Sequence, residues 1–326
     1  MSPYEPKLTI QDASHILNMS RQAVHIKLKK AKTVCEKVSG ISFLTHTTAK
    51  NLFSLNFKKK IIAVQHIKGG VGKTTTADTE GDFLSLLGAK VLKIDADFQK
   101  NLTSRYDISK KILDETPVLI DLFNKKADVE DAIINVSEGV DLIPSRFENA
   151  AIDSILSSSD SNLENILKDT LSPIANNYDY IIFDCPAMLG KLVTAITLIS
   201  DVILCPINPE KYSMEGLETL KIELHRLEKI YNRKISYKVF LNKFESSTKL
   251  SNDADVIKLL EEEIQAGFAY DQAVKRSQEV KNALKKMQTV FGYVKKSDVR
   301  ADFIDLGLQI IDFENTQSSS NSQGEK

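Results

Sequence analysis

The sequence predicts an α/β protein: a doubly wound, mostly parallel sheet preceded by a small α-helical module with a helix-turn-helix layout. Three observations predict it. From residue 61 onward, short β-branched runs alternate with helical segments, the pattern of a parallel sheet covered on both faces. A glycine-rich stretch, GGVGKT at 69–74, follows the first of these runs and opens a helix. Charge is also divided unevenly. Residues 1–60 hold 11 Lys/Arg against 3 Asp/Glu, whereas the remainder hold 32 against 41. A basic module on an acidic body points to nucleic acid before membrane.

In the basic module, LTIQDASHILNMSRQAVHIKLKKA (8–31) reads as two short helices around a tight turn. Thr9 is placed to cap the first helix, with Ala13, Ile16 and Leu17 on its apolar face, and Ser20 caps the second. Ala23, Val24 and Leu28 point inward, leaving Arg21, Gln22, His25 and Lys29 outward. The second helix of a helix-turn-helix enters the major groove with its N-terminal residues near base edges. Ser20, Arg21, Gln22, His25 and Lys29 are therefore expected DNA contacts, with Lys27, Lys30 and Lys32 serving phosphates.

A further short helix (46–57) leads through Lys58–Lys60 into the main domain. Strand-like runs fall at 61–67, 89–97, 140–145, 178–186, 201–207 and 237–244. Helices are expected near 73–87, 148–157, 160–175, 190–199, 213–230, 254–265, 272–290 and 301–312. The tail ENTQSSSNSQGEK has too little apolar surface to fold. The expected organisation is thus 1–57 (DNA-binding), 58–313 (catalytic) and 314–326 (disordered tail). No run is long and apolar enough to span a bilayer, and the N-terminus lacks a signal-peptide core. Cys35, Cys185 and Cys205 are too few and scattered for a disulfide frame or a four-ligand zinc site.

The glycine-rich stretch has phosphate-loop chemistry. Its glycines let backbone N–H groups approach phosphate oxygens, and the helix N-terminus adds partial positive charge. Gly69, Gly70, Val71, Gly72, Lys73, Thr74 and Thr75 are the expected nucleotide-binding residues. Lys73 would reach the β- and γ-phosphates and Thr74 would bind Mg²⁺. YIIFDCP ends a strand in Asp184, the position of a Walker B acid. VLKIDADFQ ends another in Asp95 and Asp97, two residues apart and so on one side of the strand. One is expected toward the metal and one toward the attacking water. Counted back from Gly72, the usual pattern wants glycine at 67; Ile67 is there, followed by an unrequested Lys68.

KGGVGKTTT, KIDADFQKNLT, YDYIIFDCPAMLG and DVILCPINPEKYSMEGLETL, in this order, resemble the ParA/MinD family of deviant-Walker ATPases, most closely ParA-type partition ATPases. The resemblance covers about 61–250 and implies ATP and Mg²⁺ as ligands. It implies that Lys68 is a signature lysine that crosses to the partner's nucleotide in an ATP-bound sandwich dimer. Lys68, Lys73 and Asp97 would then be catalytic, with Asp97 on the water, and Thr74, Asp95 and Asp184 around the metal. Gly69 would lie where the subunits press together. Asn242 is placed to contact adenine, as asparagines there do in some relatives. The chain departs from the family at Phe98 and Ala187, where prolines are usual, and at Ser247, where many relatives carry a DNA-binding arginine.

Lys249 is a substitute for that arginine, and the basic stretch 271–300 offers Lys275, Arg276, Lys281, Lys285, Lys286, Lys295, Lys296 and Arg300. The implied function is DNA partition by a cytoplasmic, nucleoid-associated ATPase. A centromere-binding ParB-type partner would stimulate it, and the N-terminal module would autoregulate its gene. The alternatives are an ATP-regulated repressor, a MinD-like membrane-associated regulator, and an iron–sulfur reductase. A membrane role conflicts with Asp302, Asp305, Asp312 and Glu314 on the last amphipathic segment. The reductase would need paired bridging cysteines, which Cys185 and Cys205 do not supply.

Overall fold

Eight strands form the main sheet of the computed structural model, which describes residues 5–38, 40–158, 162–245, 254–292 and 298–312. Three short strands belong to the N-terminal module: β1 (Leu8–Thr9), β2 (Glu36–Val38) and β3 (Ile41–Leu44). With them come α1 (Ile10–Ile16), α2 (Arg21–Lys30) and α3 (His46–Phe53). The main sheet comprises β4 (Lys60–Val64), β5 (Val91–Asp95), β6 (Ile134–Ser137), β7 (Val140–Ile143), β8 (Tyr180–Asp184), β9 (Val202–Ile207), β10 (Tyr237–Phe244) and β11 (Val274–Lys275). Its order is β11-β10-β9-β4-β8-β5-β7-β6, parallel throughout except for the antiparallel edge strand β6.

Among the described residues ten α-helices accompany this sheet. On the first part of the chain are α4 (Lys73–Leu86), α5 (Lys110–Glu115), α6 (Leu119–Phe123), α7 (Ile152–Ser158) and α8 (Leu163–Leu171). They are followed by α9 (Lys191–Ile199), α10 (Lys211–Tyr231), α11 (Ala254–Gln265), α12 (Gln278–Lys285) and α13 (Asp298–Ile311). Strand side chains alternate between two cores, as period-two geometry requires. Ala63, Ile181 and Phe183 enter one with α9 and α10, while Ile62, Val64 and Ile182 enter the other with α4 and α13. The chain leaves β4 for β5 on one side and returns after β8 to β9 on the other. The carboxyl end of β4 therefore lies at a switch in strand order, where open α/β sheets bind ligands.

Thr9 caps α1 in a reciprocal box with Asp12, and the Ser20 hydroxyl caps α2 by accepting from the Ala23 N–H. Arg21, Gln22, His25 and Lys29 are exposed and Val24 and Leu28 buried, as the spacing predicts; Ala23 and Lys27 are intermediate. The β2–β3 hairpin beside these helices has no counterpart in the sequence reading. Leu8, Ile10, Ala13 and Ile16 share one core with Phe83, Phe291 and Phe303. Arg300 is buried against this module: its Nε donates to Asp12 at 2.9 Å and its guanidinium lies 4.7 Å from the Phe291 ring centre. The sequence reading places Arg300 on a DNA surface; burial by the N-terminal module removes it from one. His15 and Asp305 meet at 2.6 Å, and His46 Nδ1 lies 2.9 Å from the Ser85 carbonyl.

The reading of 272–290 as one helix is also corrected. Val274 and Lys275 pair with β10, and the Ser277 hydroxyl caps a shorter helix by accepting from the Glu279 N–H. α13 buries Phe303, Ile304, Leu306, Ile310 and Ile311, so its apolar face is covered by protein. Among the described residues no helix is long and apolar enough to cross a membrane. Cys185 and Cys205 are core residues. Lys249, Lys295, Lys296 and the tail 314–326 lie outside the described residues.

Candidate functional site

The loop after β4 turns through Gly70 (φ 77°) and Gly72 (φ 104°), left-handed conformations that favour glycine. Gly72 is the N-cap of α4, and the first N–H to bond back along the helix is that of Thr76, to Gly72 O at 2.9 Å. The N–H groups of Lys73, Thr74 and Thr75 consequently start the helix without intrahelical partners. They open into a cleft of about 590 Å³, in the size range of ligand sites. Gly69, Gly70, Gly72, Lys73, Thr74, Thr75, Asp97 and Asn242 line it. Val71 is fully buried behind the loop.

Lys73 is 8% exposed, and its Nζ donates to the Lys68 carbonyl at 3.3 Å. Burial lowers its pKa, while Asp184 opposes that shift. Asp184 is 1% exposed, and neither carboxylate oxygen has a hydrogen-bond partner among the described residues. Burial and neighbouring Asp95 hold its pKa well above the usual carboxylate range, with the Thr74 hydroxyl acting in the opposite direction. A buried, unpartnered carboxylate beside a helix-start hydroxyl is the donor set a hard divalent cation requires. Thr74 and Asp184 fit Mg²⁺.

Asp95 behaves differently, although β5 and β8 set it directly opposite Asp184. Its Oδ2 accepts from the Thr103 N–H (2.8 Å) and hydroxyl (2.7 Å), and its Oδ1 from the Asp97 N–H (3.2 Å). Burial raises its pKa to about 7. The sequence reading puts Asp95 near the metal; its oxygens also tie down the 97–103 loop, from which Asp97 lines the cleft. Asn242, which lines the cleft, is likewise tied to the backbone. Its amide donates to Val71 O at 2.7 Å and its Oδ1 accepts from the Lys243 N–H at 2.9 Å, so it braces the loop. Lys243 adds a contact to Gly70 O.

Lys68 shares the loop with Lys73 but does not line the cleft. Its Nζ contacts Glu210 Oε2 at 2.5 Å and lies 5.8 Å from the Tyr212 ring centre. Its backbone N–H donates to His66 Nδ1 at 2.9 Å, and His66 Nε2 donates to Ser213 O at 3.1 Å. Those partners require the neutral ring with the proton on Nε2. Burial, reinforced by the Lys73 and Lys68 charges, pushes the His66 pKa down to about 4. Below its unfolded pKa near 6.5 the unfolded chain binds the proton and the native chain does not, so stability falls as pH drops from 6.5 toward 4. The loss should reach about 3 kcal/mol. Urea denaturation across this window should show it, and His66→Gln should flatten the slope; an unchanged slope would contradict the assignment.

The remaining wall of the cleft comes from the segment expected to bind DNA. Lys275, Arg276, Lys281, Val280, Leu284 and Met287 line it. Lys275 contacts Asp302 at 3.5 Å and Arg276 contacts Glu245 at 2.6 Å. Lys281 and Lys285 are exposed. The sequence reading missed this apolar, basic-rimmed wall because Val280, Leu284 and Met287 were absorbed into a longer helix pattern. It also missed Glu210, which stands inside DVILCPINPEKYSMEGLETL without a chemical role of its own, and His66 and Arg105, which stand just outside the motifs.

A parallel sheet, a glycine loop opening a helix at its switch point, and a buried unpartnered aspartate on the adjacent strand define a P-loop nucleotide-hydrolysing protein. A family model described as an AAA domain matches residues 59–237. The sporulation initiation inhibitor protein Soj of Bacillus subtilis is 36% identical over 193 residues, 59% of this chain and 75% of Soj. The chromosome partitioning protein ParA of Caulobacter vibrioides is 29% identical over 231 residues, 69% of this chain and 83% of ParA. Among solved structures, apo McdA of Cyanothece superposes with a TM-score of 0.66 at 26% identity, covering 77% of this chain and 99% of McdA. A putative plasmid partition protein of Borrelia burgdorferi bound to AMPPNP shares the fold, with a TM-score of 0.62 at 22% identity over 79% of this chain and 99% of its own. The chain belongs to the AAA-domain family and, within it, to the ParA-type partition ATPases.

Proposed function

We propose that this ATPase partitions DNA through an ATP-bound sandwich dimer in which each Lys68 serves the nucleotide of the other subunit. The separation of the two loop lysines carries the reading. Lys73 lines its own cleft, whereas Lys68 is turned away toward Glu210 and Tyr212. Gly69 supports it: a Cβ built there meets nothing within 4 Å, so the single chain has room for a side chain that a face-to-face dimer would not. In the cycle, Lys73 holds the β- and γ-phosphates, Asp97 orients the attacking water, and Lys68 arrives from the partner to stabilise charge on the transferring phosphoryl group. Mg²⁺ held by Thr74 and Asp184 would neutralise the charge that develops between the phosphates.

In this reading α12 presents Lys281 and Lys285 to DNA without sequence preference, flanked by Lys275 and Arg276. Lys249, outside the described residues, would add to them. Residues 1–57 form the operator-binding module, with Ser20 capping α2 and Arg21, Gln22, His25 and Lys29 exposed along it. A centromere-binding ParB-type protein stimulates hydrolysis, and the protein works in the cytoplasm on the nucleoid. Gel shifts on random-sequence DNA should show binding that needs ATP and is lost in Lys68→Ala, Lys73→Ala and Gly69→Val. ATP-independent binding of equal affinity in all three would overturn the reading. The exposed, capped α2 also favours an ATP-regulated repressor; stimulated turnover on non-operator DNA separates the two.

A further inference from the structure

Beside the start of α4 the cleft holds a further cation, Arg105, two residues beyond the end of KIDADFQKNLT. Arg105 ends the short 3₁₀ turn Thr103–Arg105, which Asp95 ties down through Thr103. Its side chain is 11% exposed and lines the cleft beside Thr74, Thr75, Asn101 and Ser104. Nη2 donates to the Thr75 hydroxyl at 2.9 Å and Nη1 to Asp78 Oδ2 at 3.2 Å. Asp78, one turn after Thr75 on α4, is fully buried. Its Oδ1 accepts from Lys93 Nζ (2.9 Å) and Tyr106 OH (2.9 Å), and Lys93 Nζ also donates to Asp82 Oδ1 at 2.6 Å. Lys93 and Asp82 are both fully buried.

This cluster balances two carboxylates against two cations, and its arrangement is asymmetric. Lys93 sits wholly inside, bridging both acids. Arg105 lines the cleft with Thr74 and Thr75, and its five-donor fork keeps donors beyond the two that Thr75 and Asp78 take up. The helix-start N–H groups of Lys73, Thr74 and Thr75 open into that same space. An anion seated on them is adjacent to the guanidinium. P-loop backbone donors of this kind cradle the α- and β-phosphates, while the loop lysine reaches the β- and γ-phosphates.

We infer that Arg105 is a nucleotide-binding residue that holds the α- and β-phosphates in cis, and that Asp78, set by Lys93, is its positioning residue. The inference rests on the nucleotide reading of the cleft. Arg105 contributes to ground-state binding of ADP and ATP alike, in contrast to Lys68, which acts on the transferring group from the partner.

The test is equilibrium titration of the full chain with fluorescent ADP and ATP analogues in the presence of Mg²⁺. Arg105→Gln should weaken both nucleotides in parallel by roughly ten- to a hundredfold, the loss of a charge-assisted hydrogen bond. Arg105→Lys keeps a charge against Asp78 and should recover part of that affinity. In steady state KM should rise by more than kcat falls. An Arg105→Gln protein, or an Arg105→Lys protein if the former does not fold, that binds ADP as tightly as the unmodified chain overturns the inference. So does a lower melting temperature with nucleotide affinity unchanged, which marks a structural role only. Lys73→Ala separates the two levels. If it binds ADP as the unmodified chain does, the nucleotide reading itself fails; if it does not and Arg105→Gln does, only the role of Arg105 fails.

Discussion

Replacing Lys68 by alanine is expected to lower DNA- and partner-stimulated ATP turnover by about 10³-fold or more, the scale of a cation delivered in trans to a transferring phosphoryl group. Nucleotide affinity of the single subunit should stay close to that of the unmodified chain. The geometry dictates both halves. Among the described residues, Lys68 meets Lys73 through its carbonyl, which accepts from Lys73 Nζ and survives the substitution. Its ammonium group is held by Glu210 and Tyr212 at the N-terminal end of α10, outside the cleft. Loss of an interaction made only in the transition state lowers kcat and kcat/KM together. Single-turnover hydrolysis alongside fluorescent-nucleotide binding separates these terms. A Lys68→Ala chain that fails to bind ATP would place the lysine in its own site.

The largest effect on stability is expected at Lys93. It is completely buried in β5 with Asp78 and Asp82, and burial opposes charge on all three. The two carboxylates still raise the Lys93 pKa above its ordinary value. Lys93→Met leaves those acids without their shared cation, and breaking a buried pair in this way costs about 3–5 kcal/mol. Asp78 keeps Arg105 and the Tyr106 hydroxyl, whereas Asp82 loses its 2.6 Å bond to Lys93. Adding Asp82→Asn to Lys93→Met should therefore recover a large part of the loss. Urea denaturation of the two variants measures it; equal stability of the single and double variants would show that Asp82 is not the uncompensated charge.

The catalytic framework was legible because it depends on local pattern. Apolar runs ending in Asp95 and Asp184 and a glycine loop opening a helix state their chemistry within about ten residues. The features missed depend on long-range placement. Lys93 in VLKID reads as an odd polar residue in a strand, and only its meeting with Asp78 and Asp82 explains it. A useful signal was present: a lysine inside an apolar run, preceded by acids four apart on the helix. β6 (INVS) and β2 (EKV) have too few apolar residues to stand out, and β3 (ISFL) is apolar but only four residues long. The N-terminal module meets α13 through Asp12–Arg300 and His15–Asp305 and α4 through His46–Ser85, pairs separated by 288, 290 and 39 residues. No window reads such contacts. Pattern places Asp95 at the site without showing the hydrogen bonds from Thr103 and Asp97 that its oxygens accept.

That docking has a functional consequence. α4 begins at the phosphate loop and its far part packs in one core with the helices of the N-terminal module. In the proposed dimer the two α2 helices would therefore be carried by the nucleotide-bound bodies, and not by free arms.

The central claim is that Lys68 acts across the dimer, and complementation tests it most directly. Lys68→Ala retains its own Asp97, and Asp97→Ala retains the Lys68 it would donate. Each alone should be inactive. When mixed, half the dimers of a two-fold symmetric protein are mixed and each holds one intact site, so stimulated turnover should return to roughly a quarter of the unmodified rate. No recovery on mixing, with both variants binding ATP and forming dimers, would contradict action in trans.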